Sequence, residues 1–257
     1  PLALRGPALP PRTGVVANGG TGAGSLALSG LGSLILTNNE TATGSLTVNR
    51  NLVVLSGANG SWNNGTFTLQ PTGILRLDNS GGNNVLGRLS NTGTFAGNGG
   101  TLDIIAATGG STHTAGTLTL NSVQSYITVD STLGGVDLTF AAVNFANSGS
   151  SLNLSGISNL GTTNKVKFTT FVGSANTPVI NGMMPRVFLG GTDFAAYDVT
   201  NGVIPFTAYN VGDTLNPAAA TDTLDLTGNS APTANPPINP PKRPAPRTRF
   251  QRGRDTG

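Results

Sequence analysis

The side chains able to do chemistry are few and scattered. Glutamate occurs once (Glu40), histidine once (His113), tryptophan once (Trp62) and cysteine not at all. Without cysteine there is no disulfide frame, no thiolate-held zinc or iron-sulfur centre and no thiol nucleophile. His113 stands in Ser111-Thr112-His113-Thr114, with no second histidine and no Ser/Asp set around it, so neither a triad nor a zinc site is indicated. The carboxylates that remain in the repetitive part are Asp78, Asp103, Asp130 and Asp137, with Arg76 and Arg88 near the first. Asp78 and Asp103 are 25 positions apart, Asp103 and Asp130 are 27 apart. Sugar hydrolysis needs two carboxylates about 5 to 9.5 Å apart, and Ca²⁺-assisted elimination needs several oxygens around one ion. At these spacings either cluster requires a repeating fold that stacks the aspartates. The plainer reading, and the preferred one, is an isolated aspartate at a turn or on a strand surface. Asp193 and Asp198, flanking Phe194 and Tyr197, likewise read as turn caps. Gly20-Thr21-Gly22-Ala23-Gly24 is followed by no lysine and by a strand, so it reads as a turn, not a phosphate loop. The residues therefore assign no catalytic, cofactor-binding or metal-ligating position and imply no cofactor and no enzyme.

The elements that would have to position such groups are strands. Of 257 residues, 118 are Gly, Thr, Asn or Ser, and only 10% are charged. The straight-chain helix formers are nearly missing, which excludes a helical protein. A short unit recurs: Gly, a small hydroxyl residue, then an alternating triplet with apolar outer positions. It stands as Gly24-Ser25-Leu26-Ala27-Leu28, Gly32-Ser33-Leu34-Ile35-Leu36, Gly44-Ser45-Leu46-Thr47-Val48, Gly65-Thr66-Phe67-Thr68-Leu69, Gly73-Ile74-Leu75-Arg76-Leu77, Gly100-Thr101-Leu102-Asp103-Ile104 and Gly116-Thr117-Leu118-Thr119-Leu120. Period-two alternation marks a strand with one buried face. Related copies fall near 20 residues apart, as from Gly24 to Gly44, Gly44 to Gly65 and Gly73 to Gly93. One coil of a β-solenoid takes about that length; a sandwich remains the alternative, although it would bring more aromatic residues than 5%.

The fold class expected is all-β: a right-handed parallel β-solenoid (β-helix) with a C-terminal β-rich segment and a disordered tail. Leu28, Leu36, Val48, Leu69, Leu77, Ile104 and Leu120 should point inward, and outward Thr, Ser and Asn should stack in uncharged ladders. The expected divisions are an irregular lead-in over 1–17, solenoid repeats over 18–161, a β-rich segment over 162–230 with five of the ten phenylalanines, and a Pro/Arg-rich tail over 231–257. Residues 1–241 carry 8 basic and 10 acidic side chains, residues 242–257 carry 6 and 1. The pI of 9.7 thus comes from the tail and implies no specific nucleic-acid partner. No run approaches the roughly 18 apolar residues of a membrane-spanning helix. A chain that starts at Pro1 reads as trimmed or processed, and its composition fits an exported bacterial protein.

The Gly-Thr-Leu-Thr-Leu and Gly-Ser-Leu-Thr-Val units, with Leu55-Ser56-Gly57-Ala58-Asn59-Gly60 beside them, resemble the autotransporter-associated β-strand repeats of large exported bacterial proteins. The stretch Phe188 to Tyr209, with Gly190-Gly191-Thr192-Asp193-Phe194-Ala195-Ala196-Tyr197-Asp198, is similar to a segment of long planctomycete repeat proteins. The resemblance implies a passenger-type β-helix, secreted or at the cell surface and often adhesive, with glycan or protein ligands and self-association as its candidate partners. It supplies no catalytic residues. A non-enzymatic structural or adhesive role is the first reading; a carbohydrate-active lyase or hydrolase using stacked aspartates is the alternative. No membrane barrel is recognisable, and the Pro/Arg tail is foreign to the pattern: a linker or anchor, or an out-of-frame end.

Overall fold

The computed structural model describes residues 2–4, 15–18, 22–82, 86–121, 123–172, 182–211 and 223–225, and among them every regular element is a strand. The chain divides into two units, Pro1–Pro205 and Phe206–Gly257. The first is a β-solenoid. Its first sheet orders β1 (Leu2–Leu4), β2 (Leu26–Ser29), β5 (Ser45–Asn49), β8 (Thr66–Leu69), β10 (Phe95–Gly97), β12 (Ser111–Leu120), β14 (Val136–Phe145) and β16 (Lys165–Phe168), all in parallel. The second runs from β3 (Ser33–Leu36) through β6 (Leu52–Leu55), β9 (Ile74–Asp78), β11 (Thr101–Ile105), β13 (Gln124–Asp130) and β15 (Ser151–Ser155) to β17 (Met184–Leu189), again in parallel. A third, shorter ladder pairs β4 (Asn39–Glu40) with β7 (Ser61–Trp62), bridges Trp62 to Leu89, and continues in the first halves of β12 and β14 and in β16. Each coil crosses the three ladders in turn. In the second unit β20 (Tyr209–Val211) pairs in parallel with β21 (Thr223–Asp225).

Alternation puts every second side chain inside. The seven residues expected to point inward are all buried, none more than 2% exposed. The core also carries an aromatic line along the stack: Phe67 on Phe95 (5.3 Å between centroids), Phe95 against Phe140 (5.9 Å), and Phe140 on Phe168 (5.9 Å).

The recurring glycine has a steric cause. Gly44, Gly65, Gly93 and Gly116 stack at one corner, where a Cβ on each would collide with the carbonyl oxygen of the glycine one coil below. Close backbone approach selects glycine there.

Three expectations are corrected. The coil length is not constant: 20 residues separate the in-register Leu28 and Val48 and 21 separate Val48 and Leu69, but 28 separate Leu69 and Gly97. The 20-residue step from Gly73 to Gly93 is therefore not a coil; Gly93 stacks on Gly65 and Gly100 on Gly73, because the loop after Asp78 adds residues. The lead-in over 1–17 is not wholly irregular, since Leu2–Leu4 extends the first sheet in register with Leu26, Ala27 and Leu28. Residues 162–205 are not separate from the coils. Parallel stacking continues through β16 and β17; then β18 (Asp193–Asp198) pairs antiparallel with β17 and β19 (Gly202–Pro205) antiparallel with β18, so the sheet ends on an antiparallel hairpin. An exposed parallel edge would template further pairing, so the richer aromatic content here belongs to a cap. Residues 231–257 lie outside the described residues.

Candidate functional site

The aspartates do not converge. On the outer face of the second sheet, Asp103 lies in register between Arg76 below and Thr128 above. Arg76 Nε donates to Asp103 Oδ2 (2.7 Å) and the Thr128 hydroxyl to Oδ1 (2.6 Å), so both oxygens are held. Asp78 and Asp130 share the next column, but Ile105 stands between them, so two strand spacings, about 9.6 Å, separate their backbones. Each closes a turn. Asp78 Oδ1 accepts from the amide and hydroxyl of Ser80, and Asp130 Oδ1 from the amide and hydroxyl of Thr132. The Thr132 amide and hydroxyl hold the Asp130 carboxyl below its ordinary range. Asp137 belongs to the third ladder and pairs with Lys167 at 2.7 Å. Asp193 accepts from the Phe194 amide, and Asp198 from the amides of Thr200 and Asn201, as turn caps. Among the described residues no group of three or more His, Asp or Glu is placed to hold a metal ion.

Two of the sequence candidates meet where nothing in the pattern foretold it. Arg88 and His113 are both buried, joined through Asn79. Arg88 Nε donates to Asn79 Oδ1 (2.8 Å), its Nη1 donates to Gly60 O, and its Nη2 donates to Gly57 O (2.8 Å) and Asp78 O (3.2 Å). Burial lowers the Arg88 guanidinium to about 10, opposed by the Asp78 charge, so it stays protonated at neutral pH. Because arginine can only donate, Asn79 must turn its oxygen toward Arg88 and its amide nitrogen toward His113. Asn79 Nδ2 lies 2.9 Å from His113 Nε2. Nε2 is therefore an acceptor, and the imidazole is neutral. Burial first, and the Arg88 charge second, press His113 down to about 4. This knot ties the long loop after Asp78 to β12 through Asn79 and His113.

The outer face of the first sheet is different in kind. Ala27, Thr47, Thr68, Ala96, Thr119 and Asn144 form one outward column in register. Ser45 and Thr66 begin a second, which Thr117 and Ala142 continue. Asn98 and Asn121 stack at its edge, Asn121 Nδ2 donating to Asn98 Oδ1 (3.0 Å), and Asn147 donates to Asn121 O. No charged side chain stands in these columns.

A cleft of about 340 Å³ opens near the cap, lined by Thr139, Lys167, Phe168, Thr169, Phe171, Tyr197 and Val199. Its signal in the sequence is the excess of aromatic residues past position 162. Comparison with protein-family models, with curated proteins and with solved structures finds no match.

Proposed function

We propose that this chain is a non-enzymatic structural or adhesive β-helical part of an exported bacterial surface protein, as the resemblance of its repeats to autotransporter-associated passengers implies. The observation that carries this reading is the pair of uncharged columns on the outer face of the first sheet, which reach the second half of β14. Thr, Ser, Asn and Ala occupy them over six strands, β2 to β14, a strip about 24 Å long at the ordinary strand spacing. A flat face of hydroxyls and amides has no recess in which to exclude water, but it suits many weak contacts repeated across neighbouring copies, where effective concentration multiplies affinity.

The carboxylates are consistent with this role. General acid-base chemistry on a glycosidic bond needs a paired set, whereas Asp103 has both oxygens engaged and Asp78 and Asp130 are held apart by Ile105. The test combines two measurements on the purified chain: release of reducing ends or unsaturated products from acidic and neutral polysaccharides, and attachment of protein-coated beads to bacterial cells. No release together with attachment supports the reading. Release abolished by Asp103→Asn would replace it with the carbohydrate-active alternative, and absence of attachment would remove the adhesive part.

A further inference from the structure

The cleft beside the cap opens where the aromatic line of the core reaches Phe168. Its wall is a rigid pair of half-buried rings, Phe171 and Tyr197, edge to face with centroids 5.0 Å apart. The Tyr197 hydroxyl accepts from the Phe168 amide (2.9 Å) and donates to the Phe168 carbonyl (2.8 Å). That double bond to one residue fixes the ring and spends its polar end, so what Tyr197 offers the cleft is apolar ring surface. Phe171 is pinned by its backbone, which bridges Val143. Phe168, buried beneath, is the floor. Around these rings stand the hydroxyls of Thr139 and Thr169 and the ammonium of Lys167, and at the outer rim the side chain of Val199, 90% exposed.

The charge of the site selects the ligand. The charged group of the lining is Lys167, whose ammonium is already held by Asp137 at 2.7 Å, so the cleft offers a neutralised ion pair to an anion or a cation. A purely hydrocarbon ligand would strip water from the ion pair and the threonine hydroxyls without replacing their hydrogen bonds. A ligand with one apolar face and a polar, uncharged edge satisfies both halves of the lining. A pyranose ring has that form: axial C–H groups for the rings, hydroxyls for Thr139, Thr169 and the Lys167–Asp137 pair. The volume, near the lower end for small-molecule sites, takes one or two such rings.

We propose that this cleft binds a neutral sugar unit of a glycan chain. The proposal rests on the adhesive reading above and gives it a ligand class. It is tested by saturation-transfer NMR on the full chain with cello-, malto- and manno-oligosaccharides, and with oligogalacturonate as the charged counterpart, followed by titration of whatever binds. Val199→Asp places a carboxylate on the exposed rim, Phe171→Leu removes a wall ring while keeping an apolar side chain, and Leu31→Asp, at a residue 86% exposed and outside the cleft lining, is the control. The expected result is transfer to at least one neutral oligosaccharide, unchanged from about 0.05 to about 0.5 M salt. Affinity should fall about tenfold or more in V199D and F171L and persist in L31D. Transfer to none of the neutral oligosaccharides, equal binding in V199D and F171L, or binding only to oligogalacturonate that salt abolishes, would overturn it. If the unsubstituted chain binds no neutral oligosaccharide while its bead attachment to cells survives, the ligand class falls and the adhesive reading stands; loss of both removes the two together.

Discussion

The chain from Arg88 through Asn79 to His113 makes the folded protein acid-labile in a defined window. Neutral His113 accepts at Nε2 from Asn79, whose orientation Arg88 dictates; an imidazolium would set a donor against a donor, beside a guanidinium, away from water. The His113 value is thereby lowered from 6.5 to about 4. Between those values the unfolded chain binds a proton that the folded chain refuses, so stability falls as pH falls. The stabilisation is fully present above pH 6.5 and is lost progressively toward pH 4. At 1.36 kcal/mol per pH unit the loss reaches about 3 kcal/mol. His113→Gln supplies a carbonyl to accept from Asn79 and has no proton to gain. Urea unfolding of both proteins between pH 7.5 and 4 should show the parent losing about 3 kcal/mol more than the variant, and NMR of the single histidine should place its folded-state midpoint near 4. Parallel stability curves, or a midpoint near 6.5, would refute the hydrogen-bond logic.

Two further substitutions probe the same architecture. Arg88→Met fills similar volume but leaves Gly57 O, Gly60 O, Asp78 O and Asn79 Oδ1 without their donor, and chemical denaturation should register a cost of about 3 to 5 kcal/mol. The same variant frees the Asn79 amide to turn over, so its His113 midpoint should rise toward 6.5, which NMR titration reads independently of stability. Phe140→Ala breaks the aromatic line between Phe95 and Phe168 and should cost about 3 to 5 kcal/mol, measured by the same denaturation; a cost below about 1 kcal/mol would mean the line is incidental.

What could be read in advance was whatever depends on period two. Leu28, Leu36, Val48 and their counterparts are inward because alternation leaves no other face for them, and that rule needs no knowledge of which strand lies next. The coil boundary needs exactly that knowledge. Gly73 and Gly93 stand 20 apart and look like neighbouring copies, yet Gly93 stacks on Gly65, since the loop after Asp78 lengthens the coil without disturbing the local motif on either side. Lys165–Phe168 falls in the stretch divided off with five of the phenylalanines, but strand stacking is a property of the backbone, and β16 pairs with β14 as any earlier coil does.

The candidate chemistry escaped the sequence for a related reason. Register, which decides whether two aspartates meet, is set by loop lengths that the repeat motif does not encode. The 27 residues from Asp78 to Ile105 and the 25 from Ile105 to Asp130 place both aspartates in one column, with an isoleucine where a third carboxylate would complete a cluster. Asp103 falls one column over, against Arg76 and Thr128, where a charged pair and a hydroxyl neutralise it. Arg88 stands on the extra loop, and its guanidinium donates to the carbonyls of Gly57 and Gly60 on the preceding coil and of Asp78. Insertions in a solenoid thus do two things at once. They shift which side chains stack above one another, and they create buried acceptors that must be met. In this chain the first outcome keeps the carboxylates of one column apart, and the second ties Arg88 to four acceptors at one corner.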